Sequence, residues 1–286
     1  MSKVYSTLFL LMILLPSTSS VWAYQKGRES YEPVIIPNKM DLFEENRRKE
    51  KQDPQAFYTA LDFGYLFSSP SDLSIVTTDF TNSGIQGLGN VGGFFNIRLE
   101  FGYENLFSHF DVFGTIGYLF SPGRGGTGDI NYGLNPVNST VGLGMYAVPF
   151  LVGAKYSVYN NEWVRVGPKV DIGINLIRGN IDLKINSSAS QPIQNSSLIY
   201  GGTGFSGDIL IFTEAKLSRV VNIELDLGYS LTRLSSTKIN GSSGNFATEF
   251  EPGKQLMIFD SKTGKSTPLT VNLSGFEFLL SAKILF

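Results

Sequence analysis

The sequence contains no cysteine and a single histidine, and it has no excess of basic residues. Without cysteine the chain forms no disulfide, offers no thiolate metal ligand and cannot carry a lipid anchor on an N-terminal cysteine. The formal net charge of -2 and the pI near 5.6 argue against a nucleic-acid partner, because such proteins present a basic surface. Disulfide scaffolds and lipoproteins are excluded, and no nucleic-acid partner is expected.

Long apolar runs are missing as well. The run from Leu8 to Leu15 is too short to cross a bilayer as a helix, which takes about 20 residues. It follows Lys3 and precedes Val21-Trp22-Ala23, which is the order of positive region, apolar region and small-residue cleavage site in a secretory signal peptide. The sequence therefore predicts a signal peptide over residues 1–23 and an exported protein, and it excludes a helical membrane protein.

Residues 24–54 differ in composition from the rest of the chain. The stretch 31–37 is bounded by prolines and is typical of extended backbone. Nearly every residue from Glu44 to Lys51 is charged, and Pro54 would stop any helix formed there. This composition predicts a flexible periplasmic arm rather than a second domain.

From residue 55 onwards the apolar residues recur at every second position, which is the period of a β-strand. The clearest case is the stretch from Phe276 to Phe286, where one face is wholly apolar and the other carries Glu277 and Lys283. Its length is close to the roughly 9 to 11 residues of a tilted membrane-spanning strand. The same pattern predicts seven further strands, at 55–67, 94–104, 110–120, 141–158, 164–176, 208–217 and 221–231.

The connections between these strands alternate between short and long. The short ones are 105–109, 159–162 and 218–220, and the long ones are 68–92, 121–140, 178–204 and 232–270. Short periplasmic turns and long outer loops are the known asymmetry of outer-membrane barrels.

Eight alternating strands, this asymmetry and the terminal Phe286 resemble the small eight-stranded bacterial outer-membrane barrels, the OmpA-type and opacity-protein group. The resemblance covers residues 55–286. It implies an all-β, antiparallel, up-and-down transmembrane barrel in the bacterial outer membrane, in contact with outer-membrane lipid. It also implies that Phe286 is the insertion signal through which the barrel-assembly machinery recognises the last strand. Two alternatives stay open, namely a soluble β-sandwich and a ten-stranded barrel in which a hairpin within 254–269 joins the ring.

Charged residues occupy the strand face opposite the apolar one. On a lipid-facing surface near the midplane each Arg or Lys would cost about 2 to 4 kcal/mol, so these residues are expected to face the lumen. An eight-stranded barrel is only wide enough for its own side chains, so we expect them to pair and fill it. The predicted lumen charge network is Asp62, Arg98, Glu100, Asp111, Lys155, Arg165, Lys169, Asp171, Glu224 and Asp226, with Glu104, Asp208, Glu214, Lys216, Glu277 and Lys283 at further inward positions.

The long loops are the predicted place of function. The fourth loop carries an apolar cluster that either packs against neighbouring loops or contacts a partner: Phe246, Phe250, Leu256, Met257, Ile258 and Phe259. We expect a structural or surface-recognition role, with an extracellular ligand that the sequence does not name. The alternative is a small-solute or ion channel, with cation preference because acids outnumber bases in the lumen. No enzyme, cofactor or metal site is expected, since the single histidine, His109, falls in a predicted short turn.

Overall fold

The structure is a computed structural model that describes residues 55–68, 70–107, 109–132, 135–185, 194–260 and 264–286. The predicted signal peptide and the arm over residues 24–54 lie outside the described residues, and both remain predictions.

Eight long strands form the body of the molecule. They are β1 (Ala56–Phe67), β3 (Phe94–Phe107), β4 (Phe110–Tyr132), β5 (Asn135–Tyr156), β7 (Val164–Ile185), β8 (Gln194–Lys216), β9 (Val221–Leu234) and β14 (Gly275–Leu285). The shorter elements are α1 (Ser71–Asn82), β2 (Ile85–Gln86), β6 (Tyr159–Asn160), β10 (Lys238–Ser243), α2 (Phe246–Glu249), β11 (Met257–Asp260), β12 (Lys265–Pro268) and β13 (Val271–Asn272). Within the described part of the chain, neither helix is long and apolar enough to cross a membrane.

The eight long strands pair antiparallel in chain order, and β14 pairs with β1 to close the ring. Phe63 lies opposite Leu280 at this closing seam, and β8 pairs with β9 from Phe205 to Lys216. The predicted eight-stranded up-and-down barrel is confirmed. A predicted hairpin does form within 254–269, but β11 and β12 make a separate two-stranded sheet. The sandwich and ten-stranded alternatives are therefore wrong.

The barrel is apolar outside and polar inside over most of its height. On β9 the outward positions from Val221 to Leu231 are exposed apolar residues, whereas the alternate residues Asn222, Glu224 and Asp226 are buried. A protein dissolved in water places its apolar side chains in the core, because their exposure to water is unfavourable. The reversed distribution is that of a transmembrane barrel.

In two of the predicted long loops, 121–140 and 178–204, the residues that the structure describes instead continue the strands. The strands β4, β5, β7 and β8 have 22 or 23 residues, against 11 to 14 in β1, β3, β9 and β14. The extra length of about ten residues corresponds to roughly 30 Å of strand. One side of the ring therefore extends as a four-stranded wall beyond the ends of the other strands. We call this end of the barrel the loop end and the opposite end the turn end.

An apolar core lies in the barrel interior at the loop end. Its buried members come from seven of the eight barrel strands and include Leu66, Phe94, Met145, Ile177 and Tyr200. The helix α1 contributes Leu73 to this core, although the sequence placed only a loop there. The segment after β10 contributes Leu256, Ile258 and Leu269, and β13 contributes Val271.

The position of α1 is fixed by a long-range contact. A carboxylate oxygen of Asp72, in the first turn of the helix, accepts hydrogen bonds from the backbone N–H and the side-chain hydroxyl of Thr270. These two residues are 198 positions apart in the chain. The helix is thus tied to the segment that leads into β14 and packs against the apolar core.

We predict that Leu73→Ala destabilises the barrel by about 2 to 5 kcal/mol, because it leaves a cavity in a packed apolar core. The free energy of unfolding, measured by denaturant titration in detergent micelles, checks this. Ile75→Ala, on the same helix but only partly buried, serves as the control and should cost clearly less. Equal losses for both variants would contradict the packing of α1 described here.

Candidate functional site: the charged lumen and the loop-end surface

All ten residues of the predicted lumen charge network are buried, and their side chains lie within the barrel. Five more of the predicted inward charges, Glu104, Asp208, Glu214, Glu277 and Lys283, are buried with them. Lys216 differs, because it lies half-buried at the turn end, where its Nζ donates to Oδ1 of Asn160 at 3.0 Å. The buried charges fall into three groups along the barrel axis.

The group nearest the turn end is built around Arg165 of β7. Its guanidinium contacts the carboxylates of Glu104 and Asp111, the latter at 3.0 Å, and donates to the hydroxyl of Ser157 at 2.8 Å. Lys283 of β14 adds a second cation, with Nζ 2.9 Å from Glu214 and 3.3 Å from Glu104. Charge-assisted hydrogen bonds therefore cross the lumen. They link strands on several sides of the ring and the connection between β5 and β7.

The middle group is a lattice of two lysines and three carboxylates. Lys155 lies 2.7 Å from Glu100 and 2.6 Å from Glu224. Lys169 lies 2.8 Å from Glu100, 3.2 Å from Glu224 and 2.6 Å from Asp226. The hydroxyl of Tyr58 donates to Glu100 at 2.7 Å, so aromatic and charged groups together occupy the cross-section.

The third group, next to the apolar core, depends on Arg98 of β3. One guanidinium nitrogen lies 2.6 Å from Asp208, and the other donates to both carboxylate oxygens of Glu277 at 2.8 and 2.9 Å. Asp171 accepts the backbone N–H of Asp208 at 3.1 Å. Asp62 is buried on β1 directly opposite Arg98 in the strand register.

Carboxylates outnumber basic groups in this lumen. Ten Asp and Glu residues are buried there against five Lys and Arg residues. Both polar side-chain atoms of the buried Asn175 also have no hydrogen-bond partner among the described residues. Chemically, such a lumen holds fixed charges and attracts cations rather than anions.

Aromatic side chains form a band around the outside of the barrel towards the loop end. Neighbouring ring centroids are 4.7 to 6.2 Å apart across β14, β1, β3, β4 and β5. The band consists of Phe276, Phe67, Tyr65, Phe95, Phe120, Tyr118 and Tyr146. Such girdles sit at the boundary between the hydrocarbon layer and the headgroups.

The six apolar residues predicted for the fourth loop do not form one exposed surface. Leu256 and Ile258 are buried in the apolar core, and Phe246 and Phe250 pack against it. Met257 and Phe259 alternate with the buried pair along the chain and are exposed. The period of a β-strand accounts for this division, because successive side chains point to opposite faces.

The C-terminal strand ends at the turn-end edge of the barrel. The backbone N–H of Phe286 donates to the carbonyl of Phe57 at 2.9 Å, and the two ring centroids lie 6.2 Å apart. The Phe286 side chain is exposed on the outer surface. It is thus accessible from outside the barrel.

His109 occupies the short turn between β3 and β4, with a φ of 72°. Its carbonyl accepts the backbone N–H of Ser157 at 2.8 Å. Among the described residues there is no group of three or more His, Asp or Glu side chains arranged to hold a metal ion.

No protein-family model matches this sequence, and no curated protein matches it significantly. The solved structures similar to it include three at 11 to 13% sequence identity. The major outer membrane protein of Thermus thermophilus matches with a TM-score of 0.42 and 11% identity, over 80% of this chain and 99% of that one. Neisserial surface protein A matches with a TM-score of 0.36 and 13% identity, over 81% of this chain and 97% of that one. Ail, the attachment invasion locus protein of Yersinia pestis, matches with a TM-score of 0.34 and 12% identity, over 80% of this chain and 98% of that one.

Proposed function

We propose that this protein is an integral outer-membrane barrel with a plugged lumen, acting in envelope structure or surface recognition through its loop end. The observation that carries the proposal is the presence of two sets of buried side chains in the barrel interior. Buried ion pairs lie in the interior towards the turn end, and the apolar core with α1 lies towards the loop end. The exposed apolar exterior supports membrane insertion, since it would be costly in water.

In this proposal the turn end faces the periplasm and the loop end faces outwards. The described connections at the turn end are short, at 157–163 and 217–220, whereas the loop end carries the wall, α1 and the β11–β12 hairpin. A partner outside the cell would meet the polar outer face of the wall and the exposed pair Met257 and Phe259. The assembly machinery would meet β14 and Phe286 at the opposite edge.

The orientation can be tested by cysteine labelling, because the wild-type chain has no cysteine. We expect Ser266→Cys, at an exposed position of β12, to react with a membrane-impermeant maleimide on intact cells. Arg219→Cys, in the exposed turn between β8 and β9, should react only after the outer membrane is permeabilised. The reverse pattern would contradict the proposed orientation.

The plugged lumen is tested by conductance in planar lipid bilayers. We expect the folded wild-type barrel to show no large stepwise conductance, because an eight-stranded barrel is only wide enough for its own side chains. Folding is checked in parallel by the shift in gel mobility between unboiled and boiled samples. Regular, cation-selective steps from folded protein would favour the channel alternative, for which the excess of buried carboxylates is the supporting observation.

A further inference from the structure

Two exposed cations lie side by side on the outer surface of the wall, just beyond the aromatic band. Arg178 of β7 and Lys238 of β10 are each paired in the strand register with Gly201 of β8, which lies between them. On the far side of Arg178 the register continues to Tyr146, a member of the aromatic band. The neighbours of the two cations along the chain, Ile177 and Ile239, are buried on the inner face.

These two residues differ from every cation of the lumen. Each buried Lys and Arg contacts at least one carboxylate, whereas Arg178 and Lys238 make no ion pair within the part of the chain that the structure describes. Asp182, the next acid along the outer face of β7, is four residues further from the membrane-facing belt and accepts a hydrogen bond from Asn180. Two like charges held as neighbours without an acid favour a bound anion.

The spacing suits a phosphate group. Arg178 and Lys238 are two interstrand steps apart, about 10 Å between Cα atoms at the usual strand spacing. Both side chains are long enough to converge on a group held between them, and Gly201 places no side chain in that gap. Arg donates two parallel hydrogen bonds to a phosphate, and Lys contributes a compact point charge.

The position favours a lipid as the source of the phosphate. Leu176, two residues before Arg178 on the same face of β7, is exposed and belongs to the apolar belt. Phe205 lies at the corresponding edge of the belt on β8. A lipid whose acyl chains lie against these side chains would bring its headgroup to the level of the two cations.

We propose that Arg178 and Lys238 form a binding site for the phosphate of a phosphorylated lipid in the leaflet at the loop end. The inference rests on the proposed membrane insertion and adds a ligand class to it. Cations near an anionic membrane surface each contribute about 1 kcal/mol of attraction. Loss of both should therefore weaken binding by roughly 30-fold.

The test uses the full-length folded protein in detergent, titrated with a fluorescent phosphatidic acid, which carries a phosphate monoester. We expect Arg178→Ala/Lys238→Ala to bind it roughly 30-fold more weakly than the wild type. The conservative pair Arg178→Lys/Lys238→Arg should retain binding. Arg219→Ala, an exposed cation at the turn end, is the matched control and should bind as the wild type does.

The outcomes separate this proposal from that of membrane insertion. The proposed site would be wrong if the double alanine variant bound the lipid as the wild type does. It would also be wrong if Arg219→Ala weakened lipid binding as much as the double variant. Competition by inorganic phosphate as effective as that by the lipid would also overturn it, because a soluble ion would then be the ligand. The unboiled-to-boiled gel shift of each variant reports folding separately. If the wild type itself fails to insert into vesicles, the proposed function fails rather than the site alone.

Discussion

Replacing Arg165 with alanine is expected to lower the free energy of unfolding by about 3 to 5 kcal/mol, among the largest effects of any single substitution in this barrel. The side chain is fully buried and donates hydrogen bonds to Glu104, Asp111 and Ser157. Its removal leaves two carboxylates in the lumen without their main partner. Breaking a buried pair from one side is costly because the remaining charge stays desolvated. Denaturant unfolding in detergent micelles, followed by tryptophan fluorescence, measures the change.

The matched control is Lys254→Ala, which removes a salt bridge of a different kind. Lys254 pairs with Glu251 at 2.6 Å, with both side chains about two-thirds exposed. Exposed pairs contribute roughly 0 to 1 kcal/mol, so this variant should be close to the wild type. A loss of less than about 1 kcal/mol for Arg165→Ala would mean that the lumen is hydrated enough to solvate both carboxylates, contrary to a filled interior.

The barrel itself was predictable from the sequence because a membrane imposes a simple rule on each strand. On β9 the alternation of Leu225 and Leu227 with Glu224 and Asp226 already separates the lipid face from the lumen face. The same rule placed Arg98, Lys155 and Arg165 inside. It could not choose their partners, because Arg98 and Glu277 are 179 residues apart and meet only once the ring closes.

The extended wall was not predicted because, beyond the membrane, the apolar residues of the strands change from the outer face to the inner face. On β5, Phe150 and Val152 face outwards within the belt, whereas Val141, Leu143 and Met145 face inwards above it. The surroundings of the outer face change from lipid to water at that level, so the apolar residues move to the inner face. Glycine and polar residues on the outer face of 121–140 and 178–204 then resemble loop composition, and the strand pattern is hidden.

The helix α1 was missed for a different reason. Its sequence is rich in Thr, Ser and Asp, which are weak helix formers, and its N-cap residue, Pro70, makes no side-chain capping hydrogen bond. The helix is stabilised by packing of Leu73 and by the contact between Asp72 and Thr270. Both depend on residues close in space and distant in sequence.

The measurement that tests the central claim most directly is the stability of Val170→Arg in a lipid bilayer, compared with Met257→Arg. The two wild-type side chains are almost equally exposed, at 47% and 46%, but Val170 lies in the middle of the apolar belt on β7 and Met257 lies on the loop-end hairpin. A cation facing lipid near the midplane costs about 2 to 4 kcal/mol, whereas one facing water costs little. A barrel with a lipid-facing apolar exterior therefore predicts that Val170→Arg lowers the free energy of unfolding by about 2 to 4 kcal/mol. For Met257→Arg it predicts a change within about 0.5 kcal/mol. Equal stability of the two variants in the bilayer would contradict a lipid-facing exterior, and with it the membrane-spanning barrel.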